Sequence, residues 1–120
     1  MGSQLSIALP LASALEVGQS LTFRFHRDGF LLQGFMLRLE DKFVAYANSC
    51  PHWDIDLDLG DERFYDPQRS RIYCKNHGAT FRPEDGVCDA GPCKGLGLEQ
   101  FSVALSESGP VVEIPDADPP

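Results

Sequence analysis

Cys50-Pro51-His52, followed after 21 residues by Cys74-Lys75-Asn76-His77-Gly78-Ala79-Thr80-Phe81, is the stretch on which the reading of this chain turns. Each segment offers one thiol and one imidazole. Spacers of one or two residues let both side chains of a segment point at a common centre. Two such segments describe one site with two sulfur and two nitrogen ligands: Cys50, His52, Cys74 and His77. Buried cysteines with unrelated histidines would seldom fall into such matched pairs. A tetrahedral zinc site draws on the same residue types. Zinc fingers, however, usually run Cys, Cys, His, His, whereas here each segment supplies one of each, and that order argues against zinc without removing it.

Outward from these segments the chain reads as β-structure. In Ser20 to Arg27, Leu21, Phe23 and Phe25 alternate with Thr22, Arg24 and His26, the period of a half-buried strand. Asp28-Gly29 predicts a tight hairpin turn into a second strand, Phe30 to Glu40, with a bulge expected at Gly34. Phe43 to Ala47 alternates again and completes a meander. After Asn48 the texture changes. The segments Arg63-Phe64-Tyr65 and Arg71-Ile72-Tyr73 are expected to pair around Asp66-Pro67-Gln68 and so return the chain from one ligand segment to the other. Thr80-Phe81-Arg82 continues this inserted lobe, Pro83 to Gly86 turns the chain, and Gly91 to Gly95 reads as a loop. Leu98 to Leu105 and Val111 to Ile114 form a closing hairpin. The acidic, proline-rich end from Pro115 is expected to fray, and the only helical signal is a short turn near Ala12 to Glu16.

With Cys-Pro-His, Cys-Lys-Asn-His-Gly-Ala-Thr-Phe and the Gly91-Pro92 loop in this order between β-segments, the chain resembles the Rieske iron–sulfur family, and the resemblance covers most of its length. It implies an all-β Rieske fold, an antiparallel β-sandwich with a small inserted cluster-binding lobe. The whole of 1–120 would form one domain, with a basal part at about 5–47 and 84–115, a lobe at about 48–83, and a flexible acidic tail at 116–120. It also implies a Rieske [2Fe-2S] cluster with Cys50 and Cys74 on one iron and His52 and His77 on the other.

The resemblance sorts further by what is missing. High-potential members carry an extra cysteine in each ligand loop and hydroxyl donors to the cluster sulfurs. Here Ile55 and Asn76 stand where those cysteines would be, and Ala79 and Phe81 where the hydroxyls would be. Hydrogen bonds to cluster sulfur stabilise the more negative reduced form, so a midpoint of about −150 mV is expected rather than one above about +200 mV. Histidine ligands that keep an ionisable ring nitrogen should couple electron uptake to proton uptake at alkaline pH. Cys88 and Cys93 flank the Gly-Pro loop and are expected as thiols rather than a disulfide. Trp53 is read as core or as a shield of the cluster. Asp54, Asp56 and Asp58 are read as a solvated strand edge, and His26 as a surface residue.

Composition limits the partners. Hydrophobic residues at 42% and charged residues at 23% are ordinary globular usage. The formal charge of −8 repels phosphate backbones and anionic lipids, which excludes nucleic acid and membrane surfaces as expected partners. Pro10, Glu16 and Gly18 interrupt the longest apolar run before it could span a bilayer. Leu5 to Ala14 loosely imitates an export signal but has no basic residue before it, so a cytoplasmic protein is expected. With three histidines in all, only His26 is left over, too few for a second, catalytic iron site of two histidines and a carboxylate. The expectation is therefore an electron carrier rather than an enzyme. It would be a ferredoxin between a flavin reductase and a terminal oxygenase; the alternatives are a small subunit of a larger reductase, of the nitrite reductase type, and a redox sensor.

Overall fold

The computed structural model of the chain describes residues 4–51, 56–58, 60–61, 63–75 and 78–118. These form ten strands in two antiparallel sheets. The larger sheet contains β1 (Leu5–Ala8), β2 (Ser20–Arg27), β3 (Phe30–Arg38), β4 (Phe43–Ala47), β9 (Gln100–Ser106) and β10 (Gly109–Ile114), in the order β1-β10-β9-β4-β3-β2. The smaller sheet contains β5 (Tyr65–Asp66), β6 (Arg71–Tyr73), β7 (Thr80–Phe81) and β8 (Cys88–Ala90), paired in sequence order. A 3-10 helix, Pro10–Ala14, joins β1 to the segment before β2 and supplies the expected helical turn. None of the described helices is long and apolar enough to cross a membrane.

Strands β3 and β4 explain the architecture, because their alternation serves two cores at once. Met36 and Ala45 face a basal core. There Phe23 and Phe25 of β2 meet Phe101 of β9 and Val112 and Ile114 of β10, so the six-stranded sheet folds over on itself. Phe25 and Phe101 meet edge to face at 5.6 Å and 86°, a favoured aromatic geometry. The alternate residues Phe35, Leu37, Val44 and Tyr46 face the lobe, against Phe64, Ile72, Ala79 and Phe81. Phe35 stacks on Phe64 at 4.0 Å and 6°. Each fully buried Leu or Phe of this kind contributes about 1.5–3 kcal/mol relative to exposure. The lobe is thus fixed to the base by a wall of side chains from the two central strands.

Three expectations need correction. No bulge occurs at Gly34: the β2–β3 register runs unbroken from Ser20↔Leu37 to Arg27↔Phe30. The glycine is there because a Cβ would lie 2.5 Å from the Phe23 ring. The lobe does not stop near 83, since β8 adds Cys88–Ala90 to its sheet by pairing with β7. And 115–118 does not fray. The Asp118 carboxylate accepts hydrogen bonds from the N–H groups of Asp28 and Gly29 at 3.1 and 2.9 Å, its own N–H donates to the His26 carbonyl, and Ala117 is buried. The β2–β3 turn itself matches expectation, with Asp28 and Gly29 both at positive φ, 52° and 81°, as a two-residue hairpin of Asn/Asp-Gly type requires.

Candidate metal centre

The first ligand segment leaves the end of β4. Asn48, 5% exposed, follows the strand and closes the segment on itself. Its side-chain carbonyl accepts from the Leu57 N–H at 2.8 Å, and its amide donates to Gln33 Oε1 at 2.8 Å and to Asp58 Oδ1 at 3.2 Å. Asp58 is buried, unlike the solvated edge position expected for it, whereas Asp56 is exposed as expected. Neutral amide donors of this kind are what a buried carboxylate needs. Cys50 lies inside this closed segment and is fully buried.

The second segment leaves β6. The Cys74 N–H donates to the Ala79 carbonyl at 2.8 Å and the Gly78 N–H to the Cys74 carbonyl at 2.9 Å, which anchors Gly78 and Ala79 to Cys74. A backbone bond, Lys75 N–H to the Leu57 carbonyl at 3.0 Å, ties the two ligand segments together. Cys74 is fully buried and belongs to the same core cluster as Cys50. Two of the four ligand candidates are therefore brought into one buried region by two mutually tied loops. His52 and His77 lie outside the described residues, as do Trp53, Asp54, Ile55 and Asn76.

Around the cysteines the surroundings are apolar or already engaged. Ala79 and Phe81 are fully buried. The hydroxyl between them, on Thr80, donates to Asp89 Oδ1 at 2.7 Å rather than toward the cysteines. Asp89 also accepts from Arg71 Nε at 2.8 Å, and these two donors, Thr80 first, hold its carboxyl below the usual range. Over this region lies the 91–95 loop. Gly91, at φ 101°, comes so close that a Cβ would stand 2.7 Å from the Ala79 Cα.

Cys88 and Cys93 are both buried free thiols, as expected, with their sulfurs 2.9 Å apart. Burial first, then the neighbouring sulfurs of Cys88 and Cys50, pushes the Cys93 thiol well above its ordinary pKa, so it is protonated at neutral pH. That Cys93 shares a buried cluster with Cys50 is not legible in the sequence, because no local spacing announces that distant loops pack together. Among the described residues, no group of three or more His, Cys, Asp or Glu side chains is arranged to hold a metal ion. The four cysteines thus do not make a four-sulfur site by themselves. A buried pair of thiols from two tied loops fits a centre completed by nitrogen ligands.

Comparison with known proteins agrees with this donor chemistry. The family model of the Rieske [2Fe-2S] domain matches residues 10–117. Among curated proteins none matches the chain. Among solved structures, the ferredoxin of carbazole 1,9a-dioxygenase from Nocardioides aromaticivorans IC177 superposes with a TM-score of 0.64 at 23% identity, over 92% of this chain and 97% of that one. A chain in a complex of reduced oxygenase and oxidised ferredoxin of carbazole 1,9a-dioxygenase matches with a TM-score of 0.63 at 26% identity, over 91% of each. A chain in the reduced complex of the same type matches with a TM-score of 0.72 at 20% identity; there 98% of this chain covers only 30% of a longer one.

Proposed function

Because the chain belongs to the Rieske [2Fe-2S] domain family, we propose that it is a one-electron carrier of the ferredoxin type, with Cys50 and Cys74 on one iron and His52 and His77 on the other. When bound, the cluster takes up and releases one electron at a time. The protein's part is to hold the ligands and set the environment. The hydrogen bonds of Asn48 hold the first loop, the backbone bonds of Cys74 with Gly78 and Ala79 hold the second, and the Lys75–Leu57 bond ties the two together. Ala79 and Phe81 exclude water without offering a hydroxyl, which favours a potential at the low end of the Rieske range, about −150 mV.

The observation that carries this reading is the convergence of Cys50 and Cys74, both fully buried, from two loops joined by a backbone bond. Structures of oxygenase–ferredoxin complexes among the structural neighbours support an oxygenase as the electron acceptor. A flavin reductase is the matching donor, and the carrier itself works in the cytoplasm without a catalytic site of its own. Purified protein should be coloured, contain two irons per chain, and give a Rieske EPR signal on reduction. Cys50→Ala, Cys74→Ala, His52→Ala and His77→Ala should each abolish that signal. A colourless protein holding one zinc would overturn the assignment, and stable co-purification with a large reductase subunit would overturn the shuttle role.

A further inference from the structure

Lys75 stands in the second ligand segment between Cys74 and His77, and both its backbone and its side chain reach across to the stretch of chain that follows the first. Its N–H donates to the Leu57 carbonyl at 3.0 Å, and Leu57 lies in the core cluster that contains Cys50 and Cys74. Its ammonium pairs with Oδ2 of Asp61 and lies 5.7 Å from the centroid of the Tyr73 ring, within the range of a cation over an aromatic face. Asp61 is itself placed by backbone: its Oδ1 accepts from the Arg63 N–H at 2.9 Å, and its own N–H donates to the Asp58 carbonyl at 3.3 Å. The ammonium is therefore held in place, with the Lys75 side chain 18% exposed against 47% for Asp61. A pair this close to water adds little to stability. Its charges matter in another way. A cation kept near a redox centre favours the electron-rich state and an anion disfavours it, and the more buried member of the pair is the less screened.

We propose that Lys75 and Asp61 form a charge pair that sets the midpoint potential: Asp61 and Tyr73 fix the ammonium beside the second ligand segment, where it raises the potential and the Asp61 carboxylate offsets it. The inference deepens the carrier reading and rests on it. One added electron makes the centre more negative. The Lys75 charge stabilises that state, so its loss disfavours reduction. Loss of the Asp61 charge leaves the ammonium uncompensated and favours reduction. The two removals therefore act in opposite directions, whereas a clasp that merely held the two segments together would be broken by either one in the same sense.

Redox titration of the holoprotein at low salt, followed by EPR, tests this. Lys75→Gln should lower the midpoint and Asp61→Asn should raise it, each by up to about tenfold in the one-electron equilibrium, or about 59 mV. Lys75→Arg keeps the charge and should stay near the wild-type value. The double variant that combines Lys75→Gln with Asp61→Asn loses one charge of each sign and should lie between the two single variants. Asp41→Asn, in the exposed turn between β3 and β4, changes the net charge as Asp61→Asn does and should leave the midpoint where it is. If Lys75→Gln does not retain its iron, the comparison of Asp61→Asn with Asp41→Asn decides alone. Shifts of one sign in both single variants, an unmoved midpoint in Asp61→Asn, an equal rise in Asp41→Asn, or a fall in Lys75→Arg as large as in Lys75→Gln would overturn the proposal. Wild-type protein without a Rieske signal would instead remove the carrier reading, and this inference with it.

Discussion

Gly91 and Asn48 show how far single residues decide the architecture of the centre. At Gly91 the positive φ of 101° and the 2.7 Å approach of a built Cβ to the Ala79 backbone act together, and the backbone atom cannot swing aside as a side-chain tip can. Gly91→Ala should therefore destabilise the fold by about 2–4 kcal/mol, combining left-handed strain with overpacking. Denaturant unfolding would measure it, and a variant as stable as the wild type would show that the loop is not seated on Ala79. Asn48 works differently, through hydrogen bonds to Leu57, Gln33 and Asp58. In Asn48→Ala the Leu57 N–H loses its acceptor and Asp58 one of its donors; an unsatisfied buried group costs about 1–3 kcal/mol. Unfolding at lower denaturant, with faster iron loss to a chelator, is the expected pair of outcomes. Cys50 and Cys74 could be picked out by spacing, since metal ligands obey local geometry. The role of Asn48 could not, because an asparagine after a strand reads as an ordinary turn residue until the fold brings Gln33 and Asp58 to it.

Among the elements, the pairing of β7 with β8 shows why some strands were legible and others were not. Strands β2 and β4 were read from alternation because each carries an apolar face long enough to stand out. β3 reads as a strand too, but its Gly34 suggests a bulge that does not occur; the cause of the glycine, close approach of the Phe23 ring, lies on a neighbouring strand. β8 is three residues, Cys88–Ala90, with no alternation to detect. It exists because β7 offers an edge and because Asp89 bridges Thr80 on β7 and Arg71 on β6. That bridge has a pH signature. The Asp89 carboxyl is held below its unfolded value, first by the Thr80 hydroxyl and then by Arg71. Its contribution is complete above the unfolded carboxylate pKa, about 3.9, and is lost as pH falls through the lower folded value. Asp89→Asn should be less stable than wild type by a constant, modest amount from pH 7 to about pH 4, with the gap narrowing below that. A gap that widened in acid would refute the bridge.

At the scale of the whole molecule, the chain end and the net charge carry information that no single strand holds. Asp118 returns the end of the chain to the β2–β3 turn, a contact set by tertiary closure and invisible in a proline-rich, acidic stretch. Charge, by contrast, was legible at once: 18 acidic residues against 10 basic ones give −8. Whether that excess does more than keep the protein dissolved depends on the partner's face. If the proposed donor and acceptor present basic docking patches, the long-range field accelerates encounter, and such steering fades as the screening length shrinks from about 30 Å at 0.01 M salt to about 8 Å at 0.15 M. The second-order rate of electron transfer to the oxygenase, followed by stopped flow, should then fall about tenfold or more over this range. The midpoint potential, governed by buried surroundings at Cys50 and Cys74, should move far less over the same salts. A rate indifferent to salt would assign the acidity to solubility and leave recognition to shape and apolar contact, which bind such transient redox partners over small areas.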